Sequence, residues 1–280
     1  TVGDRVNSSG VLYERLWQPL CHAVLNTNAN GASATLLWKF IKMSFLKGEA
    51  ACRPWVFKDS LSRVLIDPAL KFLESKNVKI TFNAPVKKFQ IEARLLTGLR
   101  FRRDDLPLDP GDFVVLAVPP KIAKKLHSEI KASEEFSAIV NIHFKMNKMP
   151  LESQNSRFIG LIGSKAQWVF FKDNVLSVTV SDAFQLSLKD NEEIGKEIWA
   201  EIKETFNFKS KAVPPFRVIK EREATISQTP NGVANRQGLR TNIRNLFVIG
   251  DWTQTDLPAT IEGSIQSGRE AAGLIAKTLR

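Results

Sequence analysis

Apolar positions recur at helical spacing from Leu12 to Leu46: Tyr13-Glu14-Arg15-Leu16-Trp17 leads to Pro19, and Ala34–Leu46 forms a second periodic run. Asn26–Ala32, rich in Asn and Gly, separates the two, and Ser33 stands where it can cap the second helix. Asp67-Pro68 opens a short helix through Leu73, with the proline suited to a first turn. Lys76-Asn77 then turns the chain into an alternating run, Val78–Phe82, which predicts a strand, and Asn83-Ala84-Pro85 leads to another at Val86–Ile91. Leu95–Arg102 and Phe113–Val118 read as further strands separated by a polar turn, Asp104–Gly111. Pro119-Pro120 ends the second of these, and Lys121–Leu126 starts a helix.

A second block of sheet follows. Ala138–Met146, Trp168–Phe171 and Leu176–Ser181 alternate as strands do, with Lys172-Asp173-Asn174 as one of the turns. Between Asn191 and Phe206 apolar residues fall at Ile194, Ile198 and Ile202 with charges between them, which gives one buried and one wet helical face. Phe216–Ile226 alternates weakly as a long strand. The sequence predicts a mixed α/β (α+β) chain that passes between two structural units more than once.

Composition changes this picture little. A 280-residue chain that is 43% hydrophobic and 25% charged is an ordinary globular composition, long enough for about two domains. No apolar run approaches the roughly 20 residues that cross a bilayer, and Thr1-Val2-Gly3-Asp4 lacks a signal pattern. Cys21 and Cys52 match neither a metal spacing nor a redox pair and read as reduced thiols of a cytoplasmic protein. The three histidines, His22, His127 and His143, show no ligand spacing, so no metal is expected. The net charge of +11 is spread along the chain without an aromatic-interleaved basic motif, which argues against nucleic acid. A solvated basic surface accounts for it, and peripheral contact with an anionic inner membrane is the next reading.

The candidate chemistry lies at the end. Asn245-Leu246-Phe247-Val248-Ile249-Gly250-Asp251 is an apolar strand closing in Gly-Asp, followed by a loop, Trp252–Pro258, and a helix from near Glu262. Gly250 is expected to let a ligand approach the strand end, and Asp251 to accept hydrogen bonds from ribityl or ribose hydroxyls. The helix start directs free backbone N–H groups at an electron-rich ligand. Ligands of open α/β sheets bind at the carboxyl ends of strands, where this Gly-Asp lies.

Gly250-Asp251-Trp252, Leu257–Gly263 and Ser267-Gly268 closely resemble the C-terminal flavin motif of the amine-oxidase and phytoene-desaturase superfamily. Leu16–Cys21 with Leu25-Asn26-Thr27, Val114–Pro120 and Ile139–Phe144 resemble elements of its squalene-associated branch, the hydroxysqualene dehydroxylases. The resemblance implies the C-terminal part of a two-domain FAD-binding flavoprotein. Residues 1–66 would be the helical part of a substrate domain, 67–132 an FAD-domain segment, 133–228 the substrate-domain sheet and helix, and 229–280 the closing FAD-domain segment. It further implies that Gly250 and Asp251 meet the ribityl and pyrophosphate region, that Thr260, Ile261 and Glu262 lie against the flavin edge, and that the Val86 backbone contacts the adenosine half.

The implied reaction is reductive dehydroxylation of hydroxysqualene to squalene, as in squalene and hopanoid biosynthesis. A carotenoid desaturase and an inactive remnant or non-catalytic subunit are the alternatives. The substrate, an isoprenoid lipid, requires an apolar pocket, for which Trp17, Phe144, Trp168 and Phe170 are candidate walls. His143 and His22 are the candidate proton donors. The superfamily opens with a G-x-G-x-x-G fingerprint that this sequence lacks, and Gly160 with Gly163 does not replace it. The expectation is that this dinucleotide-binding segment precedes the chain or sits on a partner chain, leaving half of an FAD site here.

Overall fold

The computed structural model describes every residue except Lys211 and Arg280. A π-helical turn over Tyr13–Trp17 runs into α1 (Gln18–Leu25), and α2 (Ala34–Met43) begins where the Ser33 hydroxyl accepts the Leu36 amide at 3.5 Å. The one-turn α3 (Glu49–Cys52) follows, and a second π-helical turn over Ser62–Ile66 feeds α4 (Asp67–Ser75). Strands β1 (Lys88–Glu92), β2 (Leu95–Arg100) and β3 (Asp105–Pro107) form an antiparallel sheet in that order. Next come β4 (Val114–Leu116), α5 (Pro120–Leu126), β5 (Phe136–Lys145), β6 (Phe158–Gly160), β7 (Trp168–Lys172) and β8 (Val175–Val180). Helices α6 (Phe184–Leu188) and α7 (Asn191–Thr205), strand β9 (Phe216–Ile226), α8 (Pro230–Ala234), β10 (Leu246–Val248) and α9 (Ile261–Thr278) complete the chain.

The largest sheet has the antiparallel order β6-β7-β8-β5-β9. Period-two alternation gives it two different faces. Val140, Ile142 and Phe144 of β5 and Leu176, Val178 and Val180 of β8 turn toward α7, whose Ile194, Ile198, Trp199 and Ile202 bury against them. Asp190 caps α7 by accepting the Glu193 amide at 2.8 Å, and Glu192 and Glu193 in the first turn suit the helix dipole. The other face carries rows set by the register. Phe158, Phe170, Ser177, His143 and Arg217 lie side by side, and next to them Gly160, Trp168, Thr179, Asn141 and Ile219.

A second core joins Phe89, Leu96, Leu116, Ile130, Ile226, Leu246, Val248 and Trp252, beneath the two-stranded parallel sheet of β4 and β10. A third, built from Val2, Cys21, Leu25, Ala29, Leu36 and Leu37, holds α1 and α2. Asn26, at φ +47, ends α1 and fastens it to the large sheet. Its amide donates to the Ser137 carbonyl (3.1 Å) and to Thr225 Oγ1 (3.0 Å), and its oxygen accepts the Asp182 amide at 2.7 Å.

Three expectations need correction. Val78–Phe82 joins no ladder, because no strand among the described residues lies beside it to take its backbone hydrogen bonds, and Val78 and Phe82 stay exposed. The polar stretch Asp104–Gly111 is not all turn, since β3 pairs there with β2, aided by Arg100 bound to Asp105. Phe144 lines no open surface: it is fully buried, with its ring 5.2 Å from Trp199 and 5.8 Å from Phe216. Its neighbour His143 takes the opposite face because successive side chains of a strand alternate. Phe144→Ala is expected to destabilise the fold by about 3–5 kcal/mol through the cavity it leaves, read as a lower urea midpoint.

Candidate functional site

The Gly250-Asp251 corner is built from below by a short buried strand. β10 runs parallel to β4, Leu246 opposite Val114 and Val248 opposite Leu116. Asn245 anchors its start: the side-chain oxygen accepts the Leu96 amide at 2.8 Å, and the amide donates to the Leu96 and Asp112 carbonyls. The strand breaks at Gly250, whose φ of +143° few side chains tolerate. A Cβ there would fall 2.7 Å from Trp252 Nε1, so the glycine makes room for the indole at the strand end. Trp252 in turn donates to the Val118 carbonyl at 3.0 Å and ties the ends of the two strands together. Where they end lies a cavity of about 400 Å³, lined among others by Val118, Phe136, Thr225, Gly250, Asp251 and Ser264.

Helix α9 starts at the rim of this corner. Thr260 caps it by accepting the Gly263 amide at 3.3 Å. Gly263 lets the first turn approach the loop, since a Cβ there would stand 3.0 Å from the Pro258 carbonyl oxygen. Ser267 reaches back to accept the Gly250 amide at 2.9 Å. Thr260, Ile261 and Glu262 are all exposed, and the Ile261 and Glu262 amides, at the start of the helix, have no partner within it. Asp251 is partly buried, and burial pushes its carboxyl above the ordinary carboxylate range, an effect opposed by backbone amides of Asp251 and Trp252 and by the positive charge of Arg236.

Two residues that carry no motif signal govern this corner. Gln228 is fully buried, and its oxygen accepts the Ala259 amide at 2.9 Å while its amide donates to the Leu25 carbonyl at 2.8 Å. Arg236 is buried beside it, with Nη1 donating to the Leu257 carbonyl at 2.7 Å. A polar residue next to a strand end is too common in sequences to stand out. Only the burial marks these two.

The other expected residues divide among separate places. Val86 is partly buried in the core beneath the corner, together with Val248, Trp252 and Ala259. Trp168, Phe170 and His143 share the open face of the large sheet; Trp168 lies across Gly160, and His143 Nδ1 is 2.8 Å from Ser177 Oγ. Burial, and then the neighbouring Arg217, lower the His143 pKa below the ordinary histidine value. Trp17 instead packs on the α1–α2 core, apart from that face. His22 lies in a hollow of about 400 Å³ with Gln18, Asp182 and Lys189. Gln18 Oε1 already accepts the Ala29 amide, so its Nε2 donates to His22 Nε2 at 2.9 Å and fixes the neutral Nδ1-H tautomer. Burial lowers the His22 pKa as well, although Asp182 opposes this. His22 and His143 therefore do not form one acid–base pair. Among the described residues no cluster suits a metal ion, and no helix is long and apolar enough to cross a membrane.

Residues 2–276 match the family described as flavin containing amine oxidoreductase. The chain belongs to that family. It is similar to the hydroxysqualene dehydroxylases of Sinorhizobium fredii (38% identity) and Rhodopseudomonas palustris (39%), in each case over 98% of this chain. It spans 64% and 65% of the length of those relatives. A probable zeta-carotene desaturase of Synechococcus elongatus is more distant, at 21% identity over 92% of this chain and 62% of its own length. An oxidoreductase of Methanosarcina mazei shares the fold with TM-score 0.66 at 15% identity, covering 97% of this chain and 66% of that one. Cyclohexylamine oxidase from Brevibacterium oxydans gives 0.64 at 13% identity, over 97% of this chain and 65% of that one. The α/β class and the amine-oxidase type of flavoprotein fold expected from the sequence both hold.

The two cysteines separate by environment. Cys21 is fully buried in the helical core, where burial pushes its thiol up to about 12, while Cys52 is exposed. A thiol reagent at pH 8 should therefore modify one cysteine per native chain rapidly, Cys52, and both after unfolding, as counted by mass spectrometry.

Proposed function

We propose that this chain supplies the flavin-ring side of an FAD site and the substrate-facing sheet of an oxidoreductase that converts hydroxysqualene to squalene. The observation that carries the reading is the corner itself: a carboxylate and the amides of a long helix converge at the carboxyl end of a parallel strand pair. The donors and acceptor there fit one half of the dinucleotide. Asp251 would accept the ribityl hydroxyls, Gly250 would lie along the same chain of the cofactor, and the amides of Ile261 and Glu262 would face an electron-rich ring edge. Val86 would stand on the adenosine side. When bound, reduced FAD supplies the hydride that replaces the departing hydroxyl, so that each turnover forms a C–H bond, breaks a C–O bond and releases water.

The protein's own part is to exclude water and hold the chain of the substrate. The open face of the large sheet suits that task, with Phe158, Trp168 and Phe170 forming an aromatic patch whose ring centroids lie 5.8–6.0 Å apart at the Phe158 contacts. The patch adjoins His143 and Asn141, which hydrogen-bond across to Ser177 and Thr179. His143 would pass a proton to the leaving hydroxyl; burial and Arg217 disfavour its protonated form, which makes that form a stronger acid but a scarcer one at neutral pH. The fingerprint half of the site would come from a preceding segment or a partner chain. The net charge of +11, spread over the surface, fits peripheral contact with anionic lipid during delivery of so apolar a substrate.

Three outcomes follow. The 280-residue chain purified alone should show no retained flavin absorbance, and stoichiometric FAD would overturn the half-site reading. The complete protein, reduced and supplied with hydroxysqualene, should give squalene by mass spectrometry and leave phytoene unchanged; the reverse pattern would favour the desaturase alternative. In that protein Asp251→Ala should weaken FAD binding by about tenfold or more, the worth of a hydrogen bond to a charged group.

A further inference from the structure

Arg236 is 7% exposed, and no carboxylate among the described residues pairs with it directly. Its Nη1 and Nη2 meet the Leu257 carbonyl (2.7 Å) and Gln228 Oε1 (3.4 Å), while Nε is buried without a partner. A cation taken out of water with neutral acceptors only is unfavourable, so the position calls for a compensating role. Both acceptors belong to the machinery that shapes one loop. Leu257 lies within it, and Gln228 Oε1 also receives the amide of Ala259, two residues further on. That loop begins at Asp251 and ends at Thr260, the cap of α9.

We infer that Arg236 is the positioning residue of the Asp251 carboxylate: it clamps the Asp251–Thr260 loop at Leu257 and, through Gln228, at Ala259, and it supplies a buried positive charge at the base of the loop that begins at Asp251. The inference rests on the reading of Asp251 as the acceptor for the flavin's hydroxyl chain. Burial raises the Asp251 carboxyl and the Arg236 charge lowers it, and reciprocally Asp251 and Asp256 oppose the lowering of the Arg236 pKa by burial. Other ionisable groups near the corner compete weakly. Glu223, on the wall of the same cavity, is held by Lys121; Asp256 and Glu262 are exposed. Without Arg236 only the backbone amides of Asp251 and Trp252 oppose burial, so protonation of the carboxylate moves to higher pH. The carboxylate form is then lost earlier as pH falls.

The test measures FAD retention against pH in the complete protein for wild type, Arg236→Met, Arg236→Lys, Asp251→Asn and the double variant Arg236→Met/Asp251→Asn. The acid limb of retention should move up by about one pH unit in Arg236→Met. Arg236→Lys, which keeps the charge but not the two-pronged geometry, should bind FAD several-fold more weakly with its acid limb close to wild type. In Asp251→Asn the limb should flatten, and adding Arg236→Met should shift nothing further. Circular dichroism melting checks that each variant folds. If Arg236→Met does not fold, the Arg236→Lys limb decides: a limb shifted as far as one pH unit despite the retained charge overturns the inference. Equal weakening at every pH in Arg236→Met, with no shift, reduces Arg236 to scaffolding and also overturns it. Wild-type protein that holds no FAD at any pH instead overturns the flavin reading beneath it.

Discussion

The side-chain amide of Gln228 is where three distant stretches of the chain are held to one another. It ties the end of α1 through the Leu25 carbonyl, the start of α9 through the Ala259 amide, and Arg236 through a shared oxygen, while the backbone carbonyl of the same residue accepts the Ser33 amide ahead of α2. Inside a protein an amide that loses one of these partners is left with the full cost of desolvation, about 1–3 kcal/mol for each group. The network therefore tolerates few arrangements. Its effect is to make the position of the Gly250-Asp251 corner depend on the helical cluster near the N-terminus, a coupling across more than 200 residues of sequence.

Asn26 does the same for the large sheet that Gln228 does for the corner. A left-handed residue at the end of α1 directs its side chain to Ser137, Thr225 and Asp182, the ends of β5, β9 and β8. The Leu25-Asn26-Thr27 element is thus a fastening, and Thr27 Oγ1 also closes on the Leu25 carbonyl at 2.8 Å. With both fastenings in place, the open face of the sheet and the strand ends of the parallel pair belong to one framework. Phe136, Thr225 and Ile226, from the β5–β9 end of the sheet, line the cavity at Asp251. A substrate lying on the sheet and a cofactor at the corner would share that wall.

The sheet's two faces show how one amino-acid pattern separates stability from chemistry. Residues Val140, Ile142 and Phe144 are committed to the α7 core, and their alternates Asn141 and His143 are left facing outward with partners Thr179 and Ser177 across the strand. Asn141 Oδ1 and His143 Nδ1 thereby each find a partner across the strands, which suits their half-buried positions. The aromatic side chains of β6 and β7 extend the same face in register.

The sequence by itself determined the elements whose signals are local. The i, i+4 spacing of Ile194, Ile198 and Ile202 specifies the buried stripe of α7, Ser33 marks the start of α2, and the closing strand, Gly-Asp turn and helix are legible from order alone, whereas Asp67-Pro68 continues a helical run that begins before it. Sequence could not decide Val78–Phe82, because a strand requires a neighbour and alternation does not name one. Nor could it assign Phe144 to the core, since a one-residue change of register exchanges the faces of a strand. Tertiary structure alone decided that Gly250 serves the Trp252 indole, that His22 and His143 lie apart, and that Gln228 and Arg236 control the Asp251 loop. In each case the deciding quantity is a distance between residues remote in sequence, fixed only once buried polar groups have found their partners.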